Sequence, residues 1–83
     1  MIRVLLVEDH TAFRQALAIT LAQEQDIIVA GQAGTIADAR RLLANIDVAV
    51  LDLDLPAGNG ASLIHEMHAV SPHALALVLT ASA

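Results

Sequence analysis

The sequence predicts an α/β fold in which one parallel sheet is covered on both faces by crossover helices, and three observations carry that expectation. Four short runs, at 2–7, 27–30, 48–51 and 75–79, are almost wholly apolar, the pattern of strands buried on both faces. Three stretches of helical periodicity separate them, so the order reads βαβαβαβ. Each right-handed crossover returns the chain to its starting direction, which makes the sheet parallel. With 83 residues, 57% of them apolar, and no repeat or linker-like tract, the chain is one domain and too apolar for disorder.

The first strand has Arg3 as its only polar residue. From 11 to 24, Phe13, Leu17 and Leu21 fall at i, i+4 and i+8 with Ala16 between them, while Arg14, Gln15 and Gln23 are polar; this is an amphipathic helix expected to bury the first three. The β-branched run at 27–30 is followed by Gly31 and Gly34, which predict a strand entering a turn. Thr35 with Asp38 resembles a capping box, opening a helix to about residue 44 that buries Ile36, Ala39 and Leu43 and stops at Asn45. The strand at 48–51 leads into Asp52, Asp54, Pro56, Gly58 and Gly60, residues that forbid regular structure. A third helix then runs to about Val70, with Leu63, Ile64, Met67 and Val70 inward, His65, Glu66 and His68 outward, and Ser71 and Pro72 as its end. The fourth strand, at 75–79, carries no charge and no proline.

Composition excludes several functions. Net charge is −5 and the permanent cations are Arg3, Arg14, Arg40 and Arg41, too few and too scattered to neutralise a duplex, so direct nucleic-acid binding by this segment is not expected. No uncharged apolar run reaches the roughly 18 residues of a membrane span, and the first one stops at Glu8, too soon for a signal peptide. A cytoplasmic location is expected. The absence of cysteine removes disulfides and thiolate metal sites.

In a parallel sheet the C-terminal ends of the strands share one edge, and ligands bind in the crevice there. The first strand ends in Glu8 and Asp9, the third in Asp52 with Asp54 two residues on, and the fourth in Thr80. Carboxylates gathered at one rim repel one another unless a cation compensates. With no lysine in the sequence, the natural compensator is a hard divalent ion that takes oxygen ligands, above all Mg²⁺. The competing explanation is that these acids only end strands and cap helices, Asp9 serving the first helix.

These residues carry a family resemblance. Val4-Leu5-Leu6-Val7-Glu8-Asp9-His10, Val50-Leu51-Asp52-Leu53-Asp54-Leu55-Pro56-Ala57-Gly58-Asn59-Gly60 and Val78-Leu79-Thr80-Ala81 resemble the receiver domain of bacterial two-component response regulators. Gly31-Gln32-Ala33-Gly34 fits the group whose output is a helix-turn-helix DNA-binding domain of the NarL/FixJ/LuxR type. The resemblance covers the whole chain. It implies a flavodoxin-like (CheY-like) doubly wound sheet of order 2-1-3-4. It also implies that Asp52 is the phosphoacceptor, that Glu8, Asp9 and Asp52 hold Mg²⁺ with the backbone carbonyl of Asp54, and that Thr80 is the switch hydroxyl. The implied donor is a sensor histidine kinase, and the implied output in the parent protein is transcriptional. Receivers of this kind continue with a helix, a fifth strand bearing a lysine, and a closing helix. Residues 1–83 are thus expected to form a receiver incomplete at its C-terminus, without fifth strand, last two helices or output domain. Its fourth strand is then a bare sheet edge through which self-association is expected.

Other readings compete. The run at 48–54 also fits the Asp-x-Asp start of haloacid-dehalogenase-like phosphohydrolases, which would make the chain a Mg²⁺-dependent enzyme, whereas a receiver accepts a phosphoryl group without substrate turnover. The missing lysine and the lack of a later acidic pair count against it. A receiver-like module that docks partners without being phosphorylated is the third possibility, and chemistry at Asp52 separates it from the first. Gly58-Asn59-Gly60 begins like a dinucleotide loop, but Leu63 stands at the third glycine position. His65 and His68 are spaced i, i+3 rather than the i, i+4 of a zinc helix, which leaves them a solvated face. His10, beside the acidic pair, is the histidine expected to act on the site.

Overall fold

The computed structural model describes residues 1–52 and 60–79. The elements are β1 (Ile2–Val7), α1 (Thr11–Ala22), β2 (Ile27–Ala33), α2 (Ile36–Ala39) continued by a 3-10 turn at Arg40–Leu42, β3 (Val48–Asp52), α3 (Gly60–Val70) and β4 (Leu75–Leu79). All pairings among these strands are parallel and the order is β2-β1-β3-β4, as the sequence predicts. No described helix is long and apolar enough to cross a membrane.

β1 is central, and its alternating side chains divide the core in two. Leu5 and Val7 join a cluster with Ala49 and Leu51 of β3, roofed by Ile36 and Ala39 of α2 and Leu63 and Met67 of α3. Val4 and Leu6 point the other way, towards Ala18, Leu17 and Leu21 of α1.

Several expected details move. The stripe that α1 turns inward is Arg14, Leu17, Ala18 and Leu21, spaced i, i+3, i+4, i+7; Phe13 lies about a quarter turn off its centre and is 50% exposed. β2 does not turn at Gly31 but runs through it to Ala33, its pairing with β1 slipping by one residue between Val4 and Leu5. Space is tight there: a Cβ on Gly31 would stand 3.2 Å from Leu42 Cδ1 and 3.3 Å from Leu5 Cδ1. The second helix is shorter than predicted, tightening into the 3-10 turn before Asn45, which adopts φ 58. Its cap is present, with the Thr35 hydroxyl accepting from the Asp38 amide at 3.1 Å, and Ile36, Ala39 and Leu43 are buried as expected. On α3, Leu63 and Met67 are buried, but Val70 at the last turn is exposed.

β4 departs most from the expectation of strands buried on both faces. Register sets Leu75 opposite Val48 and Leu77 opposite Val50, so both leucines share the α1 face. They are 68% and 55% exposed. Among the described residues α1 alone covers that face, and it lies over β1 and β2 rather than β4.

Candidate functional site

The site is built where β1 and β3 end side by side. Val7 pairs with Leu51 across these parallel strands, so the residues that follow, Glu8 and Asp52, stand next to each other at the C-terminal edge of the sheet. The Glu8 amide still donates to Ala33 O of β2 at 2.9 Å, which carries the ladder one residue past the strand and pins the start of the β1–α1 turn. Glu8 is buried, 7% exposed, and Asp9 beside it is exposed.

His10 closes the turn. Its amide donates to Glu8 Oε1 at 3.1 Å, and its Nδ1 lies 3.1 Å from the same oxygen and 3.4 Å from Asp9 Oδ1. The hydrogen bond to Glu8, then the negative charges of Asp9 and Glu8, raise the imidazole pKa above its ordinary 6.5; desolvation opposes them, and the charge of Asp52 adds a smaller push. The charge of Asp52 is thus felt at His10, although the ligand atoms that lie within 4.8 Å of one another come from Glu8, Asp9 and His10 and not from Asp52. The competing explanation for Asp9 fails, because the residue at the N-cap of α1 is His10 and no side chain caps that helix.

The donor set suits a hard cation. One ligand atom from each of Glu8, Asp9 and His10 lies within 4.8 Å of the others. Oxygens across an octahedral Mg²⁺ stand about 4.1 Å apart and neighbouring ones about 2.9 Å, so the turn would draw in by up to about 2 Å to hold such an ion. Their oxygens match the ion's preference, whereas His10, a nitrogen donor, fits the role of a charge partner for the carboxylates better than that of a Mg²⁺ ligand.

Of the other predicted site residues, Asp54 and Thr80 lie outside the described residues, as does most of the Pro-Gly loop. His65 stays on the outer face of α3. Glu66 accepts from Arg40 Nε at 3.0 Å, and His68 Nε2 sits 2.9 Å from Ala74 O, neither near the acidic rim. One neighbour of the rim escaped the sequence reading. Arg14, expected on the polar side of α1, instead reaches back and donates from Nη1 to Glu8 O at 2.7 Å. The available signal was the phase of the stripe at 14, 17, 18 and 21, which includes Arg14 and excludes Phe13.

Comparison with known proteins places the chain in a family. The family described as the response regulator receiver domain matches residues 4–83. The DNA-binding transcriptional activator DevR/DosR of Mycobacterium tuberculosis is 40% identical over 82 residues, which is 96% of this chain and 38% of the activator. A protein-glutamate methylesterase of Caulobacter vibrioides is 33% identical over 95% of this chain and 24% of its own length. The chain therefore spans well under half of these relatives. Among solved structures, the non-phosphorylated HemR receiver domain from Leptospira biflexa superposes with a TM-score of 0.86 at 36% identity, covering all of this chain and 67% of that one. A Burkholderia pseudomallei response regulator with a phosphorylated aspartic acid, a calcium ion and citrate superposes with a TM-score of 0.87 at 28% identity, over all of this chain and 49% of that one.

Proposed function

Because the chain belongs to the response regulator receiver family of two-component systems, we propose that it takes a phosphoryl group onto Asp52 from a sensor histidine kinase, with Mg²⁺ held by Glu8, Asp9 and Asp52. The observation that supports this reading is the strand register that pairs Val7 with Leu51, so that Glu8 and Asp9 follow β1 directly beside Asp52 at the end of β3. A carboxylate oxygen of Asp52 attacks phosphorus in line. An O–P bond forms as the N–P bond to the donor imidazole breaks, and the electron pair leaves with that nitrogen. Bound Mg²⁺ supplies charge neutralisation on the phosphoryl oxygens. Glu8 and Asp9 orient the cation, while Asp52 serves as both nucleophile and ligand. By resemblance, the Asp54 carbonyl is a further ligand and the Thr80 hydroxyl donates to a phosphoryl oxygen. The 83 residues act as one phosphoacceptor unit, with no small-molecule turnover; the family match lends the phosphohydrolase reading no support.

In the parent protein the output is DNA-binding and transcriptional. DevR/DosR favours this over the methylesterase alternative, at 40% against 33% identity. The chain also self-associates through β4, an edge strand with leucines exposed along it.

Mass spectrometry after treatment with an acyl phosphate or a phosphohistidine donor tests the central claim. The adduct is expected on Asp52 and to be short-lived or inefficiently formed, since these residues include no lysine to pair with it. Phosphorylation that persists in Asp52→Asn, or that is confined to Asp54, overturns the assignment.

A further inference from the structure

The acidic turn is held by a lock that its own residues do not account for. Arg14, one turn into α1, donates from Nη1 to the carbonyl oxygen of Glu8 at 2.7 Å. To do so it crosses directly over Gly34: a Cβ built on that glycine would stand 2.9 Å from Arg14 Nη1, with Arg14 Cζ and Glu8 O each at 3.9 Å. No described glycine has a positive φ, so Gly34 is needed here for the space it leaves and not for its backbone conformation. Arg14 Nε is buried without a hydrogen-bond partner among the described residues, so the guanidinium holds this position through its Nη1 contact and not because every donor is satisfied.

The Glu8–Asp9 peptide is the hinge on which both carboxylates hang. Its approach is pinned by the Glu8 amide on Ala33 O, and the Glu8 side chain is tied to the His10 amide. Neither bond stops the peptide itself from rotating, and a rotation there would swing the Asp9 carboxylate away from Glu8 and Asp52. The Arg14 bond to Glu8 O removes that freedom. It also commits this carbonyl to the Arg14 side chain of α1.

We infer that Arg14, seated on Gly34, is a positioning residue for the Glu8–Asp9–Asp52 rim, holding the Glu8–Asp9 peptide in the orientation that a divalent cation requires. The inference rests on the proposed Mg²⁺ reading of that rim. Hard-cation sites need preorganised oxygens, and loss of the groups that orient metal ligands commonly weakens binding by about tenfold or more.

Charge must be kept constant in the test, because removing a cation near the rim would by itself favour Mg²⁺ and mask a positional loss. Gly34→Ala and Arg14→Lys both conserve charge. In Gly34→Ala the new methyl meets the tip of a flexible side chain, so the chain should stay folded while Nη1 is pushed off Glu8 O. A proton–nitrogen NMR titration with MgCl₂, read at the Asp9 and Asp52 amides, gives the dissociation constant and reports folding in the same spectra. Gly34→Ala and Arg14→Lys should each weaken Mg²⁺ binding about tenfold. In an Arg14→Met background, where nothing occupies the space over residue 34, adding Gly34→Ala should change the affinity less than about twofold, the non-additivity expected of residues in contact. A Gly34→Ala chain that unfolds and is rescued by Arg14→Met supports the lock equally. Wild-type affinity in both folded charge-conserving variants overturns the inference, as does an equal effect of Gly34→Ala in both backgrounds. A wild-type chain with no saturable Mg²⁺ response at Asp9 and Asp52 sinks the metal reading itself, a result distinct from either.

Discussion

The two faces of the sheet are finished to different degrees. On the α2/α3 face, twelve of the described residues are buried in one cluster drawn from β1, β2, β3, both helices and the loops between them. On the α1 face, among the described residues, only Val4, Leu6 and Ala18 are buried, with Val48 and Val50 partly so and Leu75 and Leu77 exposed. The strands supply comparable apolar side chains to both faces, so the difference is one of cover and not of composition. A single helix spans about 10 Å of a sheet whose strands are about 4.8 Å apart, so α1 shields roughly two strands, and among the described residues nothing else covers the β3/β4 side of its face. Apolar patterning on a strand therefore states a capacity for burial, and only a covering element turns it into a core.

Core truncation is the largest test of that contrast. Leu51 is 1% exposed, and Leu51→Ala should cost about 2–5 kcal/mol, enough to unfold much of a domain this small. Leu77→Ala, one residue away in register on the neighbouring strand and on the other face, should cost about 1 kcal/mol or less. Urea midpoints measure both, and equal costs would mean that the open face is covered in solution.

Mg²⁺ comes next. The rim lies at the end of β1 and β3, where the faces meet, and at a dissociation constant of about 1 mM, 10 mM ion stabilises the fold by about 1.4 kcal/mol. The melting temperature should rise accordingly, in wild type and in Leu77→Lys alike, and Asp9→Asn should remove most of the rise. An unchanged melting temperature in a folded sample counts against the site.

A smaller effect on stability, though a clear one on assembly, is expected from Leu77→Lys. Light scattering across a concentration series should find association in the wild type and less of it in the variant, with stability changed by about 0.5 kcal/mol or less. A wild-type monomer at every concentration, unaffected by the substitution, would remove the edge as an interface.

The subtlest expectation concerns His10. Its folded pKa is raised above the 6.5 of the free side chain, so the imidazolium's attraction to Glu8 and Asp9 stabilises the fold fully below 6.5 and is lost as pH rises through the raised value. Without added metal, the stability of the wild type relative to His10→Gln should fall across that window. A difference that stays flat, or grows with pH, would show that the imidazole does not engage the carboxylates.

Much of this architecture is local and so was legible in the sequence. The four apolar runs, the Thr35 cap, the stop at Asn45 and the strand-end acids Glu8, Asp9 and Asp52 each depend on a few neighbouring residues, and the parallel order 2-1-3-4 follows once those elements resemble a known receiver. Contacts between distant segments were not legible. Gly31 reads as a turn until Leu42 and Leu5 are seen against it, and Gly34 reads as punctuation until Arg14 lies over it. Phe13 and Arg14 exchange their expected roles because helical phase is decided by which side chain the sheet edge can seat, and Glu8 O offers the guanidinium an acceptor. The sequence by itself determined the elements and the acidic residues that end β1 and β3, since propensity, capping and charge act over a few residues. The tertiary structure alone decided which apolar residues became core and which polar residue steadies the site, because burial and long-range hydrogen bonds exist only once separate elements are packed together.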